Sequence, residues 1–296
     1  MKNIAVSVRN RLMNISRQQK RPFMEMAQRY ALERFLYRLS QSEHGTKFIL
    51  KGAMLLKVWN FPNARPTMDV DLLGLTSNDS EKIAIQIKGI LQTEVEDDGL
   101  QFDVESVSTQ DITQQSEYVG LRIIFKAKLD TMILNMQVDM GFGDAVYPNP
   151  INREIPPILD FPAPKMLCYQ PETSIAEKFH AMVQHDRLNS RMKDFYDIWY
   201  LSHHMEFEAQ ILVTSIQSTF QKREVKVPGV LVAFSSEFIA EKQPQWAAFK
   251  RKMGIEVIPT DFGEVVERVK RFIEPLLPSC RGGKLAITHW NKDGWI

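Results

Sequence analysis

The sequence predicts an α+β protein: a mixed or antiparallel sheet flanked by helices, followed by a mainly helical C-terminal domain. Three observations carry this. Apolar residues recur at helical spacing through the first 40 positions. Three runs rich in Val, Ile, Phe and Tyr (LQFDVESVS, YVGLRIIFKAKL and MILNMQVDMGFGD) are separated by turn-like stretches, as strands are. Six prolines between Tyr147 and Lys165 then break the chain, and helical patterns dominate beyond them. A length of 296 residues suits two domains of the usual size, roughly 150 residues each. The expected division is 1–155 and 156–296.

Taken in order, Ile4, Val8, Leu12 and Ile15 mark a first amphipathic helix. Pro22 suits the first turn of a second, whose period near 3.6 runs from Phe23 to about Ser40. FILKGAMLLKVW is apolar nearly throughout and reads as a short strand, a glycine turn at Gly52 and a buried helix, followed by the loop FPNARPT. In MDVDLLGL, Met68, Val70 and Leu72 alternate with Asp69, Asp71 and Leu73, so both aspartates share one face of a strand. SNDSEKIAIQIKGILQ opens on cap residues and continues as a helix. After the three strand-like runs and the proline-rich boundary, SIAEKFHAMVQHDRL and SRMKDFYDIWYLSHH are two helices with a tight connection. The remainder reads as mostly helical, with a β-like patch near Val225–Val232 and an aromatic tail in which Trp290 and Trp295 pack internally or against a partner.

Composition narrows the function. With 44% hydrophobic and 25% charged residues the chain is globular rather than disordered. It carries 18 basic and 18 acidic residues through Pro150 and 19 and 18 beyond, so neither half is a basic wrapper for nucleic acid and any such contact is local. The first 22 residues are basic without an acid, which fits a solvated helix face, a transit peptide or an RNA-facing strip. Cys168 and Cys280 stand in no metal-binding pattern, and the spacing of His180 and His185 does not suit a zinc hydrolase. No apolar run reaches the roughly 18–20 residues of a membrane span and the start lacks the long apolar stretch of a signal peptide, so a cytoplasmic protein without membrane contact is expected. Walker A, GxGxxG and GxSxG motifs are absent from the sequence.

The residues that carry chemistry are acids. Two aspartates sharing a strand face repel each other by about 2 kcal/mol at an effective dielectric near 20, unless a cation sits between them. Mg²⁺ or Mn²⁺, which take oxygen ligands, are the natural occupants of Asp69 and Asp71; a pair of solvent-facing edge aspartates is the plain alternative. Asp139 falls amid apolar neighbours and needs a partner. If its strand adjoins the DxD strand, three carboxylates converge as in two-metal phosphoryl and nucleotidyl transfer. Asp144, after Gly143, reads as a turn residue. Lys178, Arg187, Arg191 and Lys193 face one acid, Asp186, within 178–193, a local excess suited to a triphosphate or an RNA backbone, or to a solvated helix face. Asp194 and Asp197 follow on one helical face.

FILKGAMLL, RPTMDVDLLG, VDMGFGD, PETSIAEKFHAM and NSRMKDFYDIWYL, in this order over roughly residues 25–202, resemble the AbiEii/AbiGii nucleotidyltransferase toxin family of bacteria. The resemblance implies a polymerase-β-like nucleotidyltransferase core followed by a helical domain. It implies that Asp69 and Asp71 are metal ligands, that Asp139 is a third ligand or the base accepting the attacking hydroxyl's proton, that Lys178 contacts phosphate and that Asp194, with Asp197 as second choice, is the acid of the KDxxD motif. The turn that cradles the triphosphate maps onto Gly52 and Ala53. Ala53 departs from the Gly-Ser usual in wider nucleotidyltransferases, and the gap to the DxD is longer, which leaves the nucleotide to backbone N–H groups. Arg65 and Thr67 would orient phosphates. The implied function is that of the toxin of a toxin-antitoxin (abortive infection) system: Mg²⁺- or Mn²⁺-dependent transfer of NMP from an NTP to RNA, expected to be the acceptor end of tRNA, with a winged-helix antitoxin encoded alongside. Transfer to a protein, or a silent nucleotide-binding regulator, are the competing expectations.

Overall fold

The computed structural model describes residues 3–59, 61, 65–113, 119–254 and 258–296. Lys2 of the basic N-terminus, part of the FPNARPT loop and Tyr118 of the second strand-like run lie outside the described residues. The chain divides into two compact units, 1–143 with 151–168, and 144–150 with 169–296.

The first unit begins with α1 (Ile4–Gln19), capped by the Asn3 side chain, and α2 (Phe23–Gln41), which starts directly after Pro22. β1 (Phe48–Lys51) leads through Gly52 and a short 3₁₀ turn into α3 (Leu55–Val58). Then come β2 (Val70–Gly74) and α4 (Ser80–Leu91), whose N-terminus is capped by Asp79. β3 (Leu100–Thr113), β4 (Val119–Leu129) and β5 (Met132–Phe142) form an antiparallel meander, and β6 (Ile151–Glu154) and β7 (Lys165–Cys168) complete the unit.

The sheet order is β3-β4-β5-β2-β1-β7-β6. β2 runs parallel to β5 and β1 parallel to β7, while the other pairs are antiparallel, so the sheet is mixed. The proline-rich stretch contributes β6, at the sheet edge, where a residue without an N–H interrupts no inner ladder. One face of the sheet is apolar: Leu121, Ile123, Phe125, Val138 and Met140 are buried, and Phe125 meets Phe35 of α2 with ring centroids 5.3 Å apart. A buried charge cluster fastens α2 to the start of β3. Asp98, its side chain fully buried, takes hydrogen bonds from Arg34 (3.0 Å) and Arg38 (2.6 Å), and the Tyr30 hydroxyl donates to its backbone carbonyl.

The second unit is mainly helical, as the sequence predicts: α5 (Pro171–His185), α6 (Met192–His204), α7 (Ala209–Lys222), α8 (Ser236–Met253), α9 (Phe262–Ile273) and α10 (Leu277–Cys280). A small antiparallel sheet of β8 (Phe207–Glu208), β9 (His289–Asn291) and β10 (Gly294–Trp295) joins the aromatic tail to it. Trp290 is buried and donates to the Ser202 carbonyl, and Trp295 stacks on Phe272. Both tryptophans therefore pack internally. The β-like patch expected at Val225–Val232 is not a strand: Pro228 and Gly229 interrupt it, and a 3₁₀ turn at Val232–Phe234 follows.

Candidate active site

The apolar ladders fix where the charged residues stand. Lys51 of β1 pairs with Asp71 of β2, Asp71 with Asp139 of β5, and Asp139 with Arg122 of β4. Residues paired directly across strands share a face, and adjacent strands lie about 4.8 Å apart. Lys51, Asp71, Asp139 and Arg122 thus form one row on the sheet face opposite the Phe125 side, two adjacent carboxylates flanked by a cation at each end. The condition posed for three convergent carboxylates, that the Asp139 strand adjoin the DxD strand, is met by this register. Asp69 lies in the bend just before β2, one residue outside the strand, and its carboxylate accepts a short hydrogen bond from the Thr67 hydroxyl.

Gly52 ends β1 with φ at +74°, a left-handed conformation that favours glycine. A Cβ placed there would stand 1.9 Å from Oδ2 of Asp71 and 2.6 Å from its Cγ. The turn is therefore a cradle that leaves room for the Asp71 carboxylate. Ala53 is buried, as is Arg65, ahead of the DxD pair.

Asp139 has the partner its apolar surroundings require. Nε of Arg122 donates to Oδ1 at 2.9 Å and Nη2 to Oδ2 at 2.8 Å, a bidentate fork, and the Gln137 amide adds a third hydrogen bond at 3.1 Å. The hydrogen bonds to Asp139 raise the Arg122 pKa first, and the fields of Asp139, Asp69 and Asp71 reinforce them over the partial burial that opposes the charge. Arg122 is the site residue that the sequence reading misses. Its signal is present: an arginine amid apolar residues on the strand preceding the one that carries an equally isolated aspartate.

These residues fit a divalent cation in part. Asp69 and Asp71 offer the hard oxygen donors that Mg²⁺ or Mn²⁺ prefers, with the Gly52 cradle beside them. Asp139 stands beside Asp71 with both of its oxygens hydrogen-bonded to Arg122. Among the described residues, no group of three His, Cys, Asp or Glu side chains is placed to hold a metal ion.

The second unit holds the other predicted residues. Nζ of Lys178 on α5 lies 2.7 Å from Asp197 and 3.4 Å from Asp194, both on α6 and each 1% exposed at the side chain. Arg191 reaches Asp194 at 2.5 Å. Burial opposes ionisation of Asp194, but Lys178 and Arg191 outweigh it and hold the carboxyl below its ordinary range. Arg187 pairs with Glu241. Three of the four cations of 178–193, Lys178, Arg187 and Arg191, thus meet acids from α6 and α8 that the sequence window does not include. Asp144 pairs with Arg223 at 2.8 Å. His180 is buried beside the same arginine, and burial followed by Arg223 pushes its pKa down to about 4, so the ring is neutral at pH 7.

No curated protein matches the chain. The crystal structures that align with it include a "putative nucleotidyltransferase" from H. pylori (TM-score 0.46, 11% identity, 84% of this chain and 91% of that one) and JHP933 from Helicobacter pylori (TM-score 0.45, 11% identity, 84% and 88%). Residues 34–268, well over half of the sequence, match the nucleotidyl transferase AbiEii toxin of type IV toxin-antitoxin systems, and the chain belongs to that family.

Proposed function

We propose that this chain is a metal-dependent nucleotidyltransferase that moves NMP from an NTP onto RNA, with the acceptor end of tRNA as target. It would act in the cytoplasm as the toxin partner of a winged-helix antitoxin. The observation that carries the reading is the cross-strand register that sets Asp71 beside Asp139, with Asp69 two residues before and the Gly52 cradle against Asp71. Family membership supports the transferase class, and acidic side chains on one sheet face are the donor set this chemistry uses. No helix among the described residues is long and apolar enough to cross a membrane.

In this reading Asp69 and Asp71 would hold Mg²⁺ or Mn²⁺, which supplies neutralisation of the triphosphate when bound. The chain does the rest. Thr67 fixes the rotamer of Asp69, which reassigns that hydroxyl from phosphate to carboxylate. Backbone N–H groups at Gly52 and Ala53 receive the triphosphate oxygens, and Arg65 orients the phosphates. Asp139 accepts the proton of the attacking hydroxyl once it is free of Arg122. Lys178 and Asp194 enter from the sequence motif alone, as a phosphate contact and its buried counter-ion.

The test is incubation of the purified chain with Mg²⁺, total bacterial RNA and each α-³²P-labelled NTP in turn, beside Asp71→Ala. Label in RNA from one donor, absent with the variant, is the expected result. Label in polypeptide, or in nothing, would overturn the RNA assignment, in favour of protein modification or a silent regulator respectively.

A further inference from the structure

Resting on the metal-dependent reading above, we propose that Arg122 is a positioning residue that withholds Asp139 from the divalent ion in the nucleotide-free chain. The cation then binds through Asp69 and Asp71 alone until the fork opens. The geometry is specific. A guanidinium matches a carboxylate with two parallel N–H···O bonds, and both oxygens of Asp139 are engaged in this way, at 2.9 and 2.8 Å. The register puts Asp139 directly beside Asp71, so the third carboxylate is next to the DxD pair yet turned to the arginine on its other side. Arg122 is 38% exposed at the side chain and Asp139 19%, so the fork can exchange with a ligand from solvent without unpacking the core. A phosphate group is the natural competitor, since it offers a guanidinium more charge and more acceptor oxygens than a carboxylate. On this account, arrival of the triphosphate is what frees Asp139.

The experiment is Mn²⁺ binding to the full chain without nucleotide, followed by electron paramagnetic resonance of the free ion, for wild type, Arg122→Gln, Arg122→Lys and the pair Arg122→Gln/Asp139→Asn. Arg122→Gln should bind Mn²⁺ roughly tenfold more tightly than wild type, the order of one strong hydrogen-bonded ligand gained. Arg122→Lys keeps the charge but cannot fork and should lie between the two, which keeps the test decisive if the glutamine variant folds poorly. In the double variant the gain should vanish. Equal affinity in wild type and both single variants, or a gain that survives Asp139→Asn, would overturn the proposal while leaving the metal reading intact. Absence of Mn²⁺ binding in every variant would overturn both, and label transfer by the wild type would show separately whether the transferase assignment survives.

Discussion

Replacing Gly52 by alanine asks whether the turn after β1 exists to accommodate Asp71, and its two costs can be separated. The first is conformational. With φ at +74°, any other L-residue there is held in the left-handed region at about 1–2 kcal/mol. The second is steric. The new methyl would stand 1.9 Å from Oδ2 of Asp71 where ordinary contact begins at 3.4 Å, so the carboxylate must retreat by about 1.5 Å. Asp71 is the second residue of a short strand and its side chain is half-buried, so rotation relieves the clash at modest cost to the fold. Stability should therefore fall by about 1–3 kcal/mol, each kcal/mol worth about 2–4 °C of melting temperature at this size. Activity should suffer far more, because misplacing a reacting group by about 1 Å costs about 100-fold. Thermal melts and nucleotide transfer measured on the same preparation check both. A Gly52→Ala chain that keeps wild-type transfer at an unchanged melting temperature would refute the cradle and the placement of Asp71 within the site.

Asp98→Ala leaves Arg34 and Arg38 buried without their shared carboxylate, so urea unfolding should show a loss of about 3–5 kcal/mol; a loss under about 1 kcal/mol would mean that the cluster does not fasten α2. Lys178→Ala should destabilise by about 3 kcal/mol, because Asp197 is left buried without the lysine, and adding Asp197→Asn should restore most of it. Lost activity in Lys178→Ala thus reports a phosphate contact only if the double variant, refolded, is also inactive. His180, depressed to about 4 from an ordinary 6.5, contributes stability that is present above pH 6.5 and lost as pH falls through 4, about 3 kcal/mol in all. Glu33, raised to about 7 chiefly by burial, has the opposite slope, its contribution being lost as pH rises through 7; it cancels when wild type is compared with His180→Phe. The acid-side slope should be shallower in that variant, and equal slopes would place His180 in water.

The fold was legible where local signals and burial agree. α1 and α2 follow from their apolar period and from Pro22, and β3, β4 and β5 from β-branched and aromatic runs, because one sheet face is buried and alternation records it. The patch at Val225–Val232 has the composition of a strand, but Pro228 and Gly229 deny it a ladder, and β propensity is decided by the partner a segment finds. The tryptophans of the tail could not be placed from sequence, since the ring both Trp290 and Trp295 pack against is Phe272, at least 18 positions earlier.

At the candidate site, identity was legible and partnership was not. Asp69, Asp71, Asp139 and Gly52 stand out because each violates its local context: acids in or beside apolar strands, a glycine between two buried elements. Whether a charge is available is a three-dimensional property. Lys178 looks surplus in a window of sixteen residues, yet both its acids arrive from the next helix, and Asp139 looks unpaired although Arg122 faces it from a strand seventeen positions back. Antiparallel pairing reflects sequence about the turn, so a residue n places after the β4–β5 turn meets one n places before it. Asp139 and Arg122 are such mirror positions about Asp130 and Thr131. An isolated cation and an isolated anion equidistant from a hairpin turn can therefore be paired from sequence alone, and in this chain that pairing makes the availability of Asp139 depend on what moves Arg122.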